Sequence, residues 1–159
     1  MMQAINSQRK AFLDMLAWSE GTDKPGQPAK NHGYDVIVGG SLFTDYSDHP
    51  RKLVTLNPKL KSTAAGRYQL LSRWWDAYRK QLGLKDFSPA SQDAVALQQI
   101  KERGALSLID EGNIRQAIDR CSNIWASLPG AGYGQFEHKA DNLIAKFKEA
   151  GGTVNEPKS

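Results

Sequence analysis

One change of period divides this sequence and limits the folds open to it. Its β-prone runs are concentrated in a single stretch: Val36-Ile37-Val38, Leu42-Phe43-Thr44 and residues 53–56. The glycine-rich Gly39-Gly40-Ser41 between the first two predicts a hairpin. The third run completes a small antiparallel sheet, which Asn57-Pro58 ends. From Tyr68 onward apolar side chains recur at helical spacing instead, with Leu71, Trp74, Trp75, Tyr78 and Leu82 on one stripe that Gly83 closes. The pattern predicts an α+β fold in which helices outweigh strands.

A first helix spans about residues 6–19, with Asn6 as N-cap, an apolar face of Ile5, Phe12, Met15 and Leu16, and Gly21 as its stop. Glu20 then lies at that helix's C-terminal end. Residues 24–33 hold two prolines and two glycines and predict a loop. Ser88-Pro89 starts a helix to about Arg103, capped by Gly104, and a short turn follows at residues 106–110. Asn113 and Gln116 have capping-box spacing for a helix to about Ser127. Residues 128–134 are too rich in glycine and proline to be helical. A last helix uses Phe136, Ala140, Leu143, Ile144 and Phe147 and ends at Gly151-Gly152, leaving a polar tail expected to be mobile. This order suggests two lobes with a cleft between them, Glu20 and residues 66–69 lying close to the junction.

At 159 residues the chain is the size of one domain with a single core. Hydrophobic residues make up 40% and charged residues 24%, so the whole chain should fold. No apolar run approaches the roughly 20 residues that cross a bilayer, and residues 1–10 lack a signal peptide's apolar segment. A soluble protein made in the cytoplasm, without stable membrane association, is expected. The one cysteine, Cys121, sits at an apolar helical position and reads as core. The net charge of +4 and pI near 9.2 favour anionic partners, nucleic acid, lipid head groups or an anionic cell wall, without choosing among them. The basic residues are dispersed, apart from a modest group at Arg51, Lys52, Lys59, Lys61 and Arg67, which a solvated face would also explain.

Three features offer chemistry. Glu20 stands at the negative end of a helix dipole beside Trp18, two neighbours that favour a protonated carboxyl and suit a general acid, although an ordinary glutamate at a helix end has the same setting. Residues 63–70 pass from small side chains into polar ones, and Tyr68 and Gln69 suit sugar hydroxyls; an ordinary loop-to-helix junction reads the same way. Residues 129–134 could present Tyr133 from a mobile lip or pack it inward. Trp18, Trp74, Trp75 and Trp125 fall mostly on helical stripes and read as core. His32, His49 and His138 are far apart and make no zinc motif, no G-x-S-x-G elbow or P-loop occurs, and Asp45 and Asp48 lack the glycine and distal glutamate of a calcium loop. Neither metal nor cofactor is expected.

Two stretches go further. The run from Arg9 to Thr22, RKAFLDMLAWSEGT, and the run from Ala65 to Leu71, AGRYQLL, identify a resemblance that extends from about Gln8 to Gly152. The chain closely resembles the lambda-type phage endolysins, lytic transglycosylases of the lysozyme-like superfamily. The resemblance implies a lysozyme-like fold and places Glu20 on the family's catalytic glutamate. It sets Gln69 in the Gly-x-x-Gln motif of transglycosylases, with Arg67-Tyr68 where bacterial members commonly have Leu-Met, and makes residues 51–61 and 129–142 lips over the cleft. Tyr68, Gln69, Tyr133 and Asp35 are the substrate-binding candidates.

The implied substrate is peptidoglycan, cut between N-acetylmuramic acid and N-acetylglucosamine. Glu20 would protonate the bridging oxygen and then take the proton of the muramic C6 hydroxyl as that oxygen attacks C1, leaving a 1,6-anhydro sugar. The alternatives are a hydrolytic muramidase, with Asp23, Asp35 or Asp45 as second carboxylate, and a non-catalytic basic module binding wall or nucleic acid. The family resemblance implies a monomer that does not act on nucleic acid, held in the host cytoplasm until it reaches the periplasm through lesions made by a separate holin that it need not touch.

Overall fold

The computed structural model describes residues 5–26, 29–125, 127–130 and 137–155. Helix α1 (Ser7–Ser19) begins as its sequence predicts. The Asn6 Oδ1 accepts the Arg9 amide at 2.9 Å, satisfying one of the donors that a helix start leaves bare. Phe12, Met15 and Leu16 are fully buried. Ile5, expected on the same face, precedes the first turn and is exposed.

The β region differs in detail from the expected hairpin and third strand. Strands β1 (Val54–Asn57) and β2 (Leu60–Ser62) form the antiparallel ladder, Val54 opposite Ser62 and Thr55 opposite Lys61. Asn57-Pro58 therefore does not end the sheet but turns it, the Asn57 Oδ1 accepting the Lys59 amide at 2.9 Å. The runs around Gly39-Gly40 do fold back, with Val36 bridging Leu42 and the Ile37 amide donating to Ser41 O at 2.7 Å. They stop at isolated bridges because residues 64–66 take their remaining groups: Val38 N donates to Ala64 O at 3.0 Å and Gly66 N to Val36 O at 2.8 Å. That pairing was not predicted, since a bridge between segments almost thirty residues apart leaves no local pattern.

Helix α2 (Ser72–Leu82) starts four residues later than the period suggests, because residues 66–69 make a tight turn that closes on the pair Ala65 and Leu70. On its stripe Trp75 is fully buried, whereas Trp74 is 47% exposed and belongs to the outer face, with the Arg73 guanidinium over its ring. The remaining helices are α3 (Pro89–Glu102), α4 (Leu106–Asp110), α5 (Ile114–Cys121) and α6 (Ala140–Glu149). The expected capping box of α5 is absent: the Asn113 side chain makes no cap bond and reaches Glu111 instead. That helix also ends six residues early, its last carbonyl closing a tight turn with the Ile124 and Trp125 amides at 2.9 and 3.3 Å.

The chain divides into two compact units. One is Glu20–Val95, with a core of Ala65, Leu70, Trp75, Phe87 and Val95 flanked by Phe43, Tyr78, Leu82 and Leu84. The Phe87 ring is its pivot, edge-on to Trp75 at 5.0 Å. The other comprises α1 and the chain from Ala96 onward, in which α1 packs on α4 and α6, and α5 on the same two. Phe12, Met15, Leu16, Ile109, Ile118 and Phe147 are fully buried there. Cys121 is among the buried residues of this unit, and burial pushes its thiol up to about 12, so it stays protonated and inert. Past Gly152, Thr153 exchanges two hydrogen bonds with the Gln8 side chain, at 2.7 and 2.9 Å, and Asn155 N donates to Gly112 O. Among the described residues no helix is long and apolar enough to cross a membrane.

Candidate functional site

Helix α1 delivers Glu20 from a firmly held end. The Ser19 carbonyl accepts the His138 Nε2 proton at 3.1 Å, so the imidazole caps the helix terminus, and the Ser19 and Ser127 hydroxyls meet at 2.6 Å. The Trp18 ring packs against His138 at 4.6 Å and under the Lys146 ammonium at 5.1 Å. Glu20 follows as the first, half-buried residue beyond the helix, and Gly21, at φ +78°, turns the chain away. A glycine suits that turn because a Cβ disfavours the left-handed region.

The next residues are bound to the second predicted stretch. Thr22, buried, donates its hydroxyl to Arg67 O at 2.6 Å, and the Asp23 carboxylate takes Arg67 Nη2 at 2.9 Å. Arg67 spends its other donors on His32 O at 2.9 Å and the Tyr68 hydroxyl at 3.0 Å. Its guanidinium also lies over the Tyr34 and Tyr68 rings, 5.3 and 5.6 Å from their centroids. Both phenols donate to Asp93, Tyr68 at 2.6 Å and Tyr34 at 2.9 Å. Burial first, and the Asp93 charge with it, raises both phenols, Tyr34 to about 12, so each remains a donor. The expectation that Tyr68 offers an aromatic edge to a sugar is corrected here: it is 5% exposed and its hydroxyl is committed on both sides.

Gly66 and Gln69 occupy opposite ends of the turn. At Gly66, φ +85°, a Cβ would collide with Gln92 Oε1 and come within 2.9 Å of Gln92 Cδ. That amide cannot step aside: its oxygen accepts Arg67 N at 2.9 Å while its nitrogen donates to Tyr34 O and Phe87 O at 3.2 and 3.0 Å. Gln69 itself holds φ +53°, an unusual backbone for a side-chain-bearing residue and one found at functional positions. Its Nε2 donates to Gly66 O at 2.9 Å, which fixes the amide plane and leaves Oε1 as an acceptor.

Among the other candidate carboxylates, Asp23 is engaged by Arg67, and Asp45 is exposed and caps its own turn through the Ser47 amide, which lowers its carboxyl. Asp35 is 5% exposed: Oδ2 accepts the Lys30 amide at 3.0 Å, and Oδ1 has no partner among the described residues. A buried acceptor left so needs an explanation. The basic group expected at residues 51–67 is not one patch. Arg67 is buried, and Arg51 bridges Asp48 at 2.7 Å and Asp76 at 2.6 Å. The Arg51 guanidinium, with a bond from Trp75, brings the Asp48 carboxyl down to about 2.

Buried His49 completes this corner, accepting the Arg51 amide on Nδ1 at 2.9 Å and donating from Nε2 to Leu70 O at 2.8 Å. The first of these bonds requires the neutral ring, since a protonated Nδ1 cannot accept. Desolvation lowers its pKa from 6.5, so the unfolded chain takes up this proton at a higher pH than the folded one. Stability linked to His49 is therefore full above about pH 6.5 and declines as pH falls below it. A pH series of melting temperatures should show wild type losing more than His49→Gln between pH 7 and 5.

The structure thus joins the Glu20 segment to the Gly66–Gln69 turn. Tyr133 lies outside the described residues. Thr22 and Arg67 lie inside the two runs that carry the resemblance without being singled out by it, and Asp93 and His138 carry no local signal. Among the described residues no group of three or more His, Cys, Asp or Glu side chains converges as a metal site would require.

Comparison with known proteins follows the same line. A family model described as Endolysin matches residues 10–154. The endolysin of Escherichia phage lambda is 88% identical over 155 residues, covering 98% of each chain. That of Escherichia phage P2 is 56% identical over 164 residues, covering 95% of this chain and 98% of its own. Bacteriophage lambda lysozyme complexed with a chitohexasaccharide superposes with a TM-score of 0.96 at 88% identity, over 97% of this chain and 100% of that one. A second structure, described as lysozyme from bacteriophage lambda, gives 0.92 at 86% identity over the same shares. The fold is lysozyme-like.

Proposed function

This chain belongs to the endolysin family, and we propose that it is a single catalytic domain that lyses the host cell as a lytic transglycosylase. The bond it cleaves is the β-1,4 link between N-acetylmuramic acid and N-acetylglucosamine in peptidoglycan. Lambda lysozyme, its relative at 88% identity, has been seen with a chitohexasaccharide, itself a β-1,4 glycan, which supports a glycan substrate.

Glu20 acts first as acid on the bridging oxygen and then as base on the muramic C6 hydroxyl, whose oxygen attacks C1 to close the anhydro ring. Hydrolysis with two carboxyl groups needs a second one for nucleophile or base. The observation that carries the transglycosylase reading is that Asp23 and Asp45 are both already committed, one to the Arg67 guanidinium and one to its own turn. An intramolecular hydroxyl removes the need for a second residue, because a well-placed internal nucleophile gains up to several kcal/mol over an external one. Gln69 Oε1 and Asp35 Oδ1 are the acceptors for sugar hydroxyls, and Tyr133, outside the described residues, stays a substrate-binding candidate on the sequence alone. No metal or cofactor enters the reaction. The protein works as a monomer released to the wall through holin lesions.

Asp35 Oδ1, without a partner among the described residues, favours a second reading, a muramidase in which Asp35 supplies the other carboxylate. Mass spectrometry of glycans released from purified sacculi separates the two. Transglycosylation leaves muramic ends one water lighter than the reducing ends of hydrolysis, and a product pool of reducing ends overturns it.

A further inference from the structure

We propose that Arg67 is a positioning residue for Glu20, an inference that rests on the reading of Glu20 as the proton-transferring group. Only Gly21 separates Glu20 from Thr22, and Gly21 sits at a φ of +78° that lets the chain swing. Where Glu20 points therefore depends, beside its own contacts and the capped end of α1 before it, on what holds Thr22 and Asp23 after it. Both are held by Arg67: its carbonyl takes the Thr22 hydroxyl, and its guanidinium takes the Asp23 carboxylate. Gly33 presses from the other side, so close that a Cβ there would stand 2.6 Å from Thr22 O. The Thr22 backbone cannot shift toward Gly33.

The grip on Arg67 is equally complete. The planar fork of a guanidinium donates along fixed directions, and here they run to Asp23, His32 O and the Tyr68 hydroxyl. The Tyr68 hydroxyl passes the chain on to Asp93, which α3 carries and which Tyr34 also contacts. The Arg67 amide is held by Gln92, one residue away on the same helix. Since Arg67 heads the last three residues of the turn that ends in Gln69, the same network that orients the proposed acid fixes the proposed sugar acceptor.

Burying an arginine beside partly exposed carboxylates is not a cheap way to stabilise a fold, because desolvation of the guanidinium offsets much of the attraction. Its return is geometry. A group that transfers a proton twice gains from being held within a fraction of an ångström of both oxygens.

Arg67→Lys keeps the charge and loses the fork, and Thr22→Val keeps the shape and loses the hydroxyl. Each should lower kcat on purified sacculi at least tenfold, with KM within about twofold of wild type and the pH profile of kcat displaced, while Thr22→Ser restores the wild-type rate. A folded Arg67→Lys protein with wild-type kcat overturns the proposal, as does a loss of kcat that only tracks the folded fraction and leaves the pH profile in place. If Arg67→Lys does not fold, the Thr22 pair decides by the same criteria. Glu20→Gln run alongside separates the two claims: full activity there removes the reading of Glu20, whereas an inactive Glu20→Gln beside a fully active Arg67→Lys removes only the positioning role.

Discussion

Glu20→Gln is expected to abolish lysis while leaving the fold and glycan binding intact. The substitution is isosteric and half-buried, at the end of a helix whose Ser19 carbonyl is already capped by His138. Glutamine keeps the size and shape of the protonated carboxyl with which the proposed reaction begins, so the fold has no cause to change. The melting temperature should therefore stay within a few degrees of wild type. Activity should not. A single general acid or base contributes about 10²–10⁴-fold, and here one carboxyl does both jobs, so the rate on sacculi should fall by at least the upper part of that range. Retained clearing by the glutamine variant would support a wall-binding module and end the enzymatic account.

The second large effect is structural. Gly66→Ala asks a residue with a side chain to hold φ +85°, at a cost of about 1–2 kcal/mol. It also drives a methyl into the Gln92 amide. If Gln92 yields, the buried Arg67 amide loses its acceptor, for roughly 1–3 kcal/mol more. The sum, about 2–5 kcal/mol, corresponds to a melting temperature lower by roughly 5–15 °C for a chain of this size. Thermal unfolding followed by circular dichroism measures it. Because the same turn carries Gln69, activity should fall below what the folded fraction explains; a variant as stable as wild type would mean that Gln92 repacks without loss.

What could be read in advance divides by range of interaction. The N-cap of α1 at Asn6, the glycine stop at Gly21 and the Ser88-Pro89 start of α3 rest on contacts within a few residues, and each stands where its chemistry puts it. The expected hairpin shrinks to the bridge from Val36 to Leu42 because residues 64–66 take the other backbone groups of residues 36–38, a long-range pairing with no local pattern. Trp74 and Trp75 show the same limit: helical spacing places both on a stripe, but only the packing of Phe87 decides that Trp75 is the one buried.

The candidate site follows the same rule. Glu20 was legible because the end of α1 is local and because the run around it resembles a known family. Tyr68 was misjudged as a surface aromatic since its partners, Asp93 and Arg67, are set by how α3 meets the turn. Gly66 was legible only as a small residue. Its reason, a Gln92 amide locked by three bonds, appears only in three dimensions.

The claim that the substrate supplies its own nucleophile has a direct isotopic test. Sacculi digested in water enriched in oxygen-18 should give glycan ends that carry none of the label at C1, because the ring-closing oxygen comes from the muramic C6 hydroxyl. One labelled oxygen per cleaved bond would mean that water attacks C1, and would replace the transglycosylase with a muramidase.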